Sequence, residues 1–242
     1  MAPRGEPSPI VREVVNPCDL RSTGCMRIAI AGGHGKIALL LQKKLSDSGH
    51  EAVGFIRNPE QAGDLLVAGG IPVVLDLEKV SVDTLAADLA GVDAVVFAAG
   101  AGPNSGNERK LTVDRDGAIL LADAAVRAGI RRFVIISSMA ADTFEPDSDE
   151  SFQVYLRAKS EADSAVRQRD LDWTIIRPGT LSDDPGTGLV RLAENIGEGR
   201  IPRADVAELV YCSIVDGVGL HAQFEAISGD DPVAEALTKA RY

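Results

Sequence analysis

The chain has 242 residues, of which 45% are hydrophobic and 25% charged, a globular composition that excludes a disordered or collagen-like chain. Acidic residues outnumber basic ones 36 to 25, and the resulting net charge of -11 argues against a nucleic-acid partner. No apolar run approaches the roughly 18 residues of a membrane span, and the N-terminus lacks a secretory signal core. We therefore expect a soluble, cytoplasmic protein, monomeric or a small homo-oligomer, that acts on a small molecule without a membrane partner. The cysteines have no Cys-x-x-Cys spacing, so no metal site is expected.

Residues 1–25 contain four prolines and no sustained period, which predicts a disordered tail, with Met26 as a candidate start. From there on, short apolar runs alternate with helical patterns. Strands are predicted at 27–31, 51–56, 71–75, 94–98, 133–138, 173–176 and around 223–227. Helices are predicted at 36–48, 59–69, 81–89, 110–128, 153–169 and 204–215.

Strands that are apolar throughout and separated by helices indicate a parallel sheet covered on both faces. The fold class is therefore α/β, a Rossmann-like doubly wound sheet forming a single domain over 26–242. The Gly-rich stretch 182–202 is expected to be a loop-dominated insert near the C-terminal side of the sheet, where ligands of this class bind.

Two helices have predicted inward faces. The first is expected to place Ile37, Leu40, Leu41 and Leu45 on one stripe, and Gly49 is a natural stop. In the helix at 110–128, the predicted face consists of Ile119, Ala122, Ala125 and Val126.

A glycine loop follows the first strand directly, as Ala31-Gly32-Gly33-His34-Gly35-Lys36-Ile37-Ala38. Gly32 allows the tight turn, Gly35 lets the backbone approach a pyrophosphate, and Ala38 permits close packing of helix on strand. The free N–H groups and the helix dipole then face the phosphates. Because ordinary turns also use glycine, the glycines alone are weak evidence for phosphate binding. The position of the loop in the first βαβ unit strengthens that interpretation.

A dinucleotide fold reads the adenosine ribose at the end of the second strand, where an acidic residue favours NAD and a basic one favours NADP. Arg57 lies there, 25 residues after Gly32, so NADP is favoured and NAD is the weaker candidate. The alternative is a solvated surface arginine. Asp76, after the third strand, and the segment 98–100, after the fourth, fall where the adenine and the second ribose should pass.

Tyr155 and Lys159 are four residues apart on a predicted helix, a spacing that places both side chains on one face. A neighbouring ammonium stabilises a phenolate, so the pair could give a proton to a carbonyl oxygen or take one from a hydroxyl. Ser137 and Ser138 end the preceding strand and could orient a substrate carbonyl. The alternatives are a helix-surface pair and serines that satisfy backbone groups in a turn.

These residues resemble the atypical branch of the short-chain dehydrogenase/reductase superfamily, near its NmrA-like and flavin/biliverdin-reductase-like NAD(P)H-binding members. The resemblance covers 26–230 and lies in the ordered motifs IAIAGGHGKIA, FIRNP, AVVFAAG, DGAILLADAAVRAGIRRFVIISS, YLRAK, WTIIRPGTLSDDPGTG and RADVAELV.

The resemblance implies a role for each matched residue. The pyrophosphate would be cradled by Gly32, Gly33, His34, Gly35, Lys36 and Ile37. Arg57 would bind the 2′-phosphate, Asp76 and Leu77 would flank the adenine, and Ala98, Ala99 and Gly100 would line the cofactor channel. Tyr155 would be the acid/base, Lys159 would hold the nicotinamide ribose, and Ser138 or Ser137 would polarise the substrate. Pro178, Gly179 and Thr180 would border the nicotinamide.

Two departures from the superfamily bear on catalysis. The segment 98–100 offers no amide side chain in place of the catalytic asparagine, and the interval from Ser138 to Tyr155 is 17 residues, which is long. The leading hypothesis is an NADP-dependent oxidoreductase that reduces a carbonyl, quinone or flavin-like acceptor. The alternatives are a non-catalytic NADP-binding sensor and an epimerase or dehydratase with a tightly held cofactor.

Overall fold

The computed structural model describes residues 24–102 and 105–240, so the predicted N-terminal tail lies outside it except for residues 24 and 25. The strands are β1 (Arg27–Ala31), β2 (Glu51–Ile56), β3 (Ile71–Val74), β4 (Ala94–Phe97), β5 (Arg132–Ile136), β6 (Asp172–Pro178), β7 (Thr180–Ser182), β8 (Leu189–Ala193), β9 (Arg200–Pro202), β10 (Ala222–Ser228) and β11 (Asp231–Pro232). The helices are α1 (Lys36–Asp47), α2 (Ala62–Val67), α3 (Val82–Asp88), α4 (Asn107–Arg109), α5 (Ala118–Arg127), α6 (Ser151–Arg167), α7 (Arg203–Val215) and α8 (Val233–Lys239). A π-helical segment, Lys110–Gly117, joins α4 to α5.

Nine strands form one sheet in the order β11-β8-β10-β6-β5-β4-β1-β2-β3. The seven strands from β10 to β3 are parallel, which confirms the doubly wound α/β prediction. Strand order reverses between β1 and β4, so a crevice opens at their carboxyl ends, where ligands of such sheets bind. A second sheet of two parallel strands, β7 and β9, lies beyond β6.

Helices cover both faces of the sheet because the strand side chains alternate between two cores. In β1, Ile28 and Ile30 join the core beneath α1, α7 and α8, whereas Ala29 and Ala31 join the core beneath α3, α5 and α6. Among the described residues, no helix is both long and apolar enough to cross a membrane.

The predicted helix stripes were partly wrong. Leu40 was expected in the core, but its side chain is 42% exposed. Gln42, two residues further along the same helix, is fully buried although it is polar. In α5, Val126 is 43% exposed, while Leu121 is fully buried. In both helices the face that packs on the strands is rotated slightly around the helix axis from the face that the hydrophobic pattern predicts.

The stretch 182–202 is more regular than predicted. It contains β8, which joins the main sheet antiparallel to β10, and β9, which pairs with β7. β8 escaped prediction because only Val190 is fully buried, so its hydrophobic pattern is weak. The chain also ends in β11 and α8, two elements that the sequence analysis did not include.

Leu41→Ala should lower the free energy of unfolding by about 2–5 kcal/mol, because Leu41 is fully buried beneath α1 and its removal leaves a cavity. Leu40→Ala on the same helix is the matched control and should cost about 1 kcal/mol or less. Urea unfolding followed by circular dichroism measures both. Equal losses would place Leu40 in the core.

Candidate functional site

The glycine loop crosses the crevice between β1 and β4. Gly32 has a φ of +79°, and a Cβ there would lie 2.6 Å from Ala99 Cα, so only glycine fits. Gly35 is extended and precedes α1, whose first-turn N–H groups have no acceptor earlier in the helix. The loop therefore presents free N–H groups and the positive end of the α1 dipole to the crevice, which is a binding arrangement for phosphate.

A buried glutamine holds the loop in this shape. The Gln42 amide donates to Gly33 O at 2.6 Å and to Ala38 O at 3.1 Å. Gly33 N–H donates to Phe55 O, and a Cβ at Gly33 would lie 2.8 Å from Gly54 Cα. Gly33 therefore serves the packing of the loop on β2, and its N–H is not available to a phosphate.

A first cavity of about 330 Å³ extends from the glycine loop across the ends of β2 and β3. It is lined by most of the residues predicted for the adenosine half, namely Gly32, His34, Gly35, Arg57, Asp76, Leu77, Ala98, Ala99 and Gly100. The His34 ring nitrogen Nε2 lies 2.7 Å from Asp64 Oδ2, which ties the loop to α2. Asp76 is engaged by Lys79 at 3.1 Å and by Glu78 N–H.

Two arginines converge at the rim of the first cavity. Arg57 Nη1 and Arg109 Nε each lie 3.4 Å from Glu78 Oε2, and the Thr112 hydroxyl donates to Glu78 Oε1 at 2.6 Å. Arg109 comes from α4 and was not identified by sequence. The pair can hold one anionic group between two guanidinium groups.

A second cavity of about 610 Å³ adjoins the first, and the two share Ala98, Ala99 and Gly100. It is lined by Ser137, Ser138, Tyr155, Lys159, Pro178 and Gly179, all predicted from sequence. Ile37, Ile136, Phe152 and Leu181 give it apolar walls. The two cavities form one trough from Arg57 to Tyr155, past the phosphate loop.

Tyr155 and Lys159 lie on one side of α6, as their spacing predicts. The Lys159 ammonium is 5.7 Å from the centre of the Tyr155 ring. Lys159 is buried, and its ammonium lies 3.2 Å from Asp114 Oδ1 and donates to Ile136 O at 3.3 Å. Burial, the largest single influence, lowers the pKa of Lys159. The charge of Asp114, together with Tyr155, Asp163 and the contact with Asp114, outweighs it, and the pKa lies above its ordinary value.

Asp114 is the main site residue that sequence reasoning missed. It lies in the π-helical segment and is 1% exposed, and its Oδ2 accepts the N–H of Ala101 at 3.0 Å. One carboxylate thus joins the catalytic lysine candidate to the loop after β4. A signal was present, because the buried stripe of α5, extended backward from Leu121 at helical spacing, reaches Gly117 and Asp114.

The two serines have different surroundings. Ser137 is buried, and its hydroxyl donates to Asp163 Oδ2 at 2.7 Å, an oxygen that Arg177 also contacts at 2.8 Å. Ser138 is half-buried, and within the described residues its hydroxyl donates to the carbonyl of Met139 alone, at 3.1 Å. Ser138 is therefore the serine available to a substrate, and Ser137 belongs to an internal polar network.

Three predicted residues, Gly33, Lys36 and Thr180, lie outside both cavities. Lys36 is 67% exposed, and its ammonium is 2.6 Å from Asp183 Oδ2. Thr180 is exposed at the start of β7, where its N–H donates to Gly199 O. Within 24–102 and 105–240, no group of three or more His, Cys, Asp or Glu side chains is placed to hold a metal ion.

Residues 32–216 match the NAD(P)H-binding protein family, which covers the glycine loop, both cavities and most of the sheet. The chain belongs to this family. The resemblance to atypical short-chain dehydrogenase/reductases is thereby confirmed.

Relatives of this NAD(P)H-binding protein carry different activity names. YhfK of Bacillus subtilis, an uncharacterized sugar epimerase, is 37% identical over 88% of this chain and 100% of its own length. The (4-alkanoyl-5-oxo-2,5-dihydrofuran-3-yl)methyl phosphate reductase of Streptomyces griseus is 30% identical over 85% of this chain and 69% of its own. The solved structure of a proposed NAD-dependent epimerase/dehydratase from Bacillus halodurans is 36% identical, with a TM-score of 0.80, and covers 88% of this chain and 98% of that one.

The residues present fit a dinucleotide. The glycine loop leaves no room for a side chain at residue 32, where the backbones of β1 and β4 meet, and α1 offers unsatisfied N–H groups beside it. The Arg57 end can hold a phosphate, and Lys159, fixed by Asp114, can hold a ribose at the other end. In this NAD(P)H-binding protein, the bound nicotinamide would supply or accept a hydride beside the second cavity.

Asp114→Asn should lower the free energy of unfolding by about 3–5 kcal/mol, because it leaves the Lys159 charge buried without a counter-ion. The double variant with Lys159→Met should recover at least about 1 kcal/mol of this loss, since the two residues are in contact. A double-mutant cycle by urea unfolding measures the coupling. Additive effects would show that the pair contributes nothing as a pair.

Proposed function

We propose that this protein is an NADP-dependent reductase, which transfers hydride from NADPH to a small carbonyl, quinone or flavin-like acceptor held in the second cavity. The observation that carries the proposal is the placement of Tyr155 and Ser138 together on the wall of the second cavity, which adjoins the cavity that contains the glycine loop. For a carbonyl acceptor, the carbon would gain the hydride and the oxygen a proton, while NADPH becomes NADP.

The chain's own residues would supply the proton and the orientation. The Ser138 hydroxyl can donate to the acceptor oxygen, since its present partner is only a neighbouring carbonyl. Tyr155 would give its phenolic proton to the same oxygen, and positioned proton transfer of this kind contributes about 10²–10⁴-fold to a rate. Lys159, with its charge balanced by Asp114, would hold the nicotinamide ribose.

The preference for NADP rests on charge at the rim of the first cavity. Arg57 lies at the predicted ribose-reading position, and Arg109 adds a second guanidinium group beside it. Among the described residues neither arginine has a carboxylate partner of its own, because both contact the same Glu78 oxygen. A 2′-phosphate would give both arginines a stronger anion, whereas NAD would leave them on Glu78.

Calorimetric titration with NADPH and NADH, followed by NADPH oxidation against carbonyl, quinone and flavin acceptors, tests the proposal. We expect binding of NADPH in preference to NADH, and turnover with at least one acceptor class. Failure to bind either nucleotide would contradict the interpretation of the trough as a dinucleotide-binding site. Tight NADPH binding without turnover on any acceptor would favour a non-catalytic sensor.

An epimerase is the second candidate, favoured by the names of the Bacillus subtilis and Bacillus halodurans relatives. An epimerase returns the hydride to its substrate, so it consumes no NADPH overall. The apolar walls of the second cavity favour an acceptor with a largely apolar ring or chain over a sugar, which carries hydroxyl groups along its whole length. Conversion of a sugar nucleotide without net NADPH oxidation would decide for the epimerase.

Arg57→Ala should raise the NADPH dissociation constant by roughly 10- to 100-fold and the NADH constant by less than about threefold, because only NADPH carries the 2′-phosphate. Arg127→Ala is the control, since Arg127 is 65% exposed and pairs with Asp83 away from both cavities. Calorimetry measures the constants. Equal losses for the two nucleotides would show that Arg57 does not read the phosphate.

Tyr155→Phe should lower turnover by roughly 10²–10⁴-fold and change the NADPH dissociation constant by less than about twofold, because it removes only the phenolic proton. Stopped-flow measurement of NADPH oxidation and calorimetric titration give the two values. Unchanged turnover would exclude Tyr155 from the mechanism.

A further inference from the structure

Three charged side chains line the second cavity: Lys110, Asp114 and Lys159. Lys159 and Asp114 form an ion pair, so they neutralise each other. Lys110 has no such partner, because no carboxylate in the described part of the chain lies within 4.0 Å of its ammonium, and one hydrogen bond, to Ser105 O at 2.9 Å, is its polar contact. The cavity therefore carries one uncompensated positive charge.

That charge is also buried. Lys110 is 6% exposed, a consequence of its place in the π-helical segment one turn before Asp114. An ammonium group has three donors, of which Ser105 takes one. Burying an ammonium without an opposite charge is unfavourable, so an anion that enters the cavity would be attracted to it.

The remaining walls of the second cavity suit a flat apolar ligand. Ile37, Ile136 and Leu181 contribute aliphatic surface. Phe152 is 58% exposed although it is a large apolar side chain, and its ring stacks on that of Tyr155 at 6.1 Å with an interplanar angle of 26°. A planar ring can cover this exposed aromatic surface while its polar end lies deeper.

We propose that the acceptor has a flat apolar body and one anionic group, a carboxylate or a phosphate, that pairs with Lys110. This inference rests on the proposed function and names its substrate class. Lys110 is then a specificity-determining residue, which selects the acceptor by charge, while Tyr155 and Ser138 act on its reducible group.

A purely structural role for Lys110 has a different signature. Its bond to Ser105 could serve only to hold the segment between β4 and α4, in which case removing the amine would weaken every ligand equally. A role in anion recognition weakens anionic ligands alone, and an arginine at the same position preserves the preference because it preserves the charge.

Calorimetric binding of 2-naphthoate, 2-naphthyl phosphate and neutral 2-naphthamide to the full chain saturated with NADP tests the proposal without requiring turnover. For the wild type, we expect at least one of the two anions to bind tenfold or more tightly than the amide, and the better one identifies the anionic group. Lys110→Met should abolish this preference and leave amide binding within about threefold, and Lys110→Arg should retain the preference. Lys43→Met is the control, since Lys43 is 65% exposed and pairs with Asp47 on α1.

Equal affinity of the wild type for the anions and the amide would overturn the proposal, as would an unchanged preference in Lys110→Met. Equal weakening of all three ligands in that variant would also overturn it and leave Lys110 a structural role. If Lys110→Met does not fold, the proposal is still tested by whether the wild type binds the anions more tightly than the amide and whether Lys110→Arg retains this preference. Failure of the proposed function appears separately, in the titration with NADPH.

Discussion

The close contact of two backbones at the centre of the sheet is the constraint on which the rest of the site depends. Gly32, leaving β1, lies so near Ala98 and Ala99, leaving β4, that even one Cβ would collide with main-chain atoms. This contact directs the chain across the crevice and into α1, so that free N–H groups face the opening. Both cavities meet at the same point, since they share the segment 98–100.

Polar side chains buried around this point hold the loops in place. Gln42 fixes the glycine loop from behind, and Asp114 connects the segment after β4 to Lys159. The attraction within a buried ion pair such as Asp114–Lys159 is largely offset by the cost of removing both charges from water. Ser137 is held in the same way by its hydrogen bond to Asp163. Ser138, which bonds a neighbouring backbone carbonyl, is the serine whose hydroxyl can turn to a ligand in the cavity.

The positive charges along the trough contrast with the negative net charge of the chain. Despite a net charge of -11, two arginines meet at one end. At the other end, Lys110 has no carboxylate partner among the described residues. Local fields in a cleft with low-dielectric walls outweigh the average charge of the surface. An acidic protein can therefore attract an anionic nucleotide and, in our proposal, an anionic acceptor.

The sequence alone determined the parallel core, the glycine loop, Arg57 at the second strand end and the pairing of Tyr155 with Lys159. Each of these is a local signal, a run of apolar residues or a fixed spacing along one element. β8 was missed because little of it is buried, and Leu40 was misplaced because the strands below choose the inward face of α1. Only the tertiary structure decided the rest of the site. Asp114 and Arg109 lie far along the chain from the groups that they contact, because those contacts form only when the segment 107–117 packs against α6 and the end of β3. Lys110 bonds a near neighbour, Ser105, but its place on the wall of the second cavity is set by the fold.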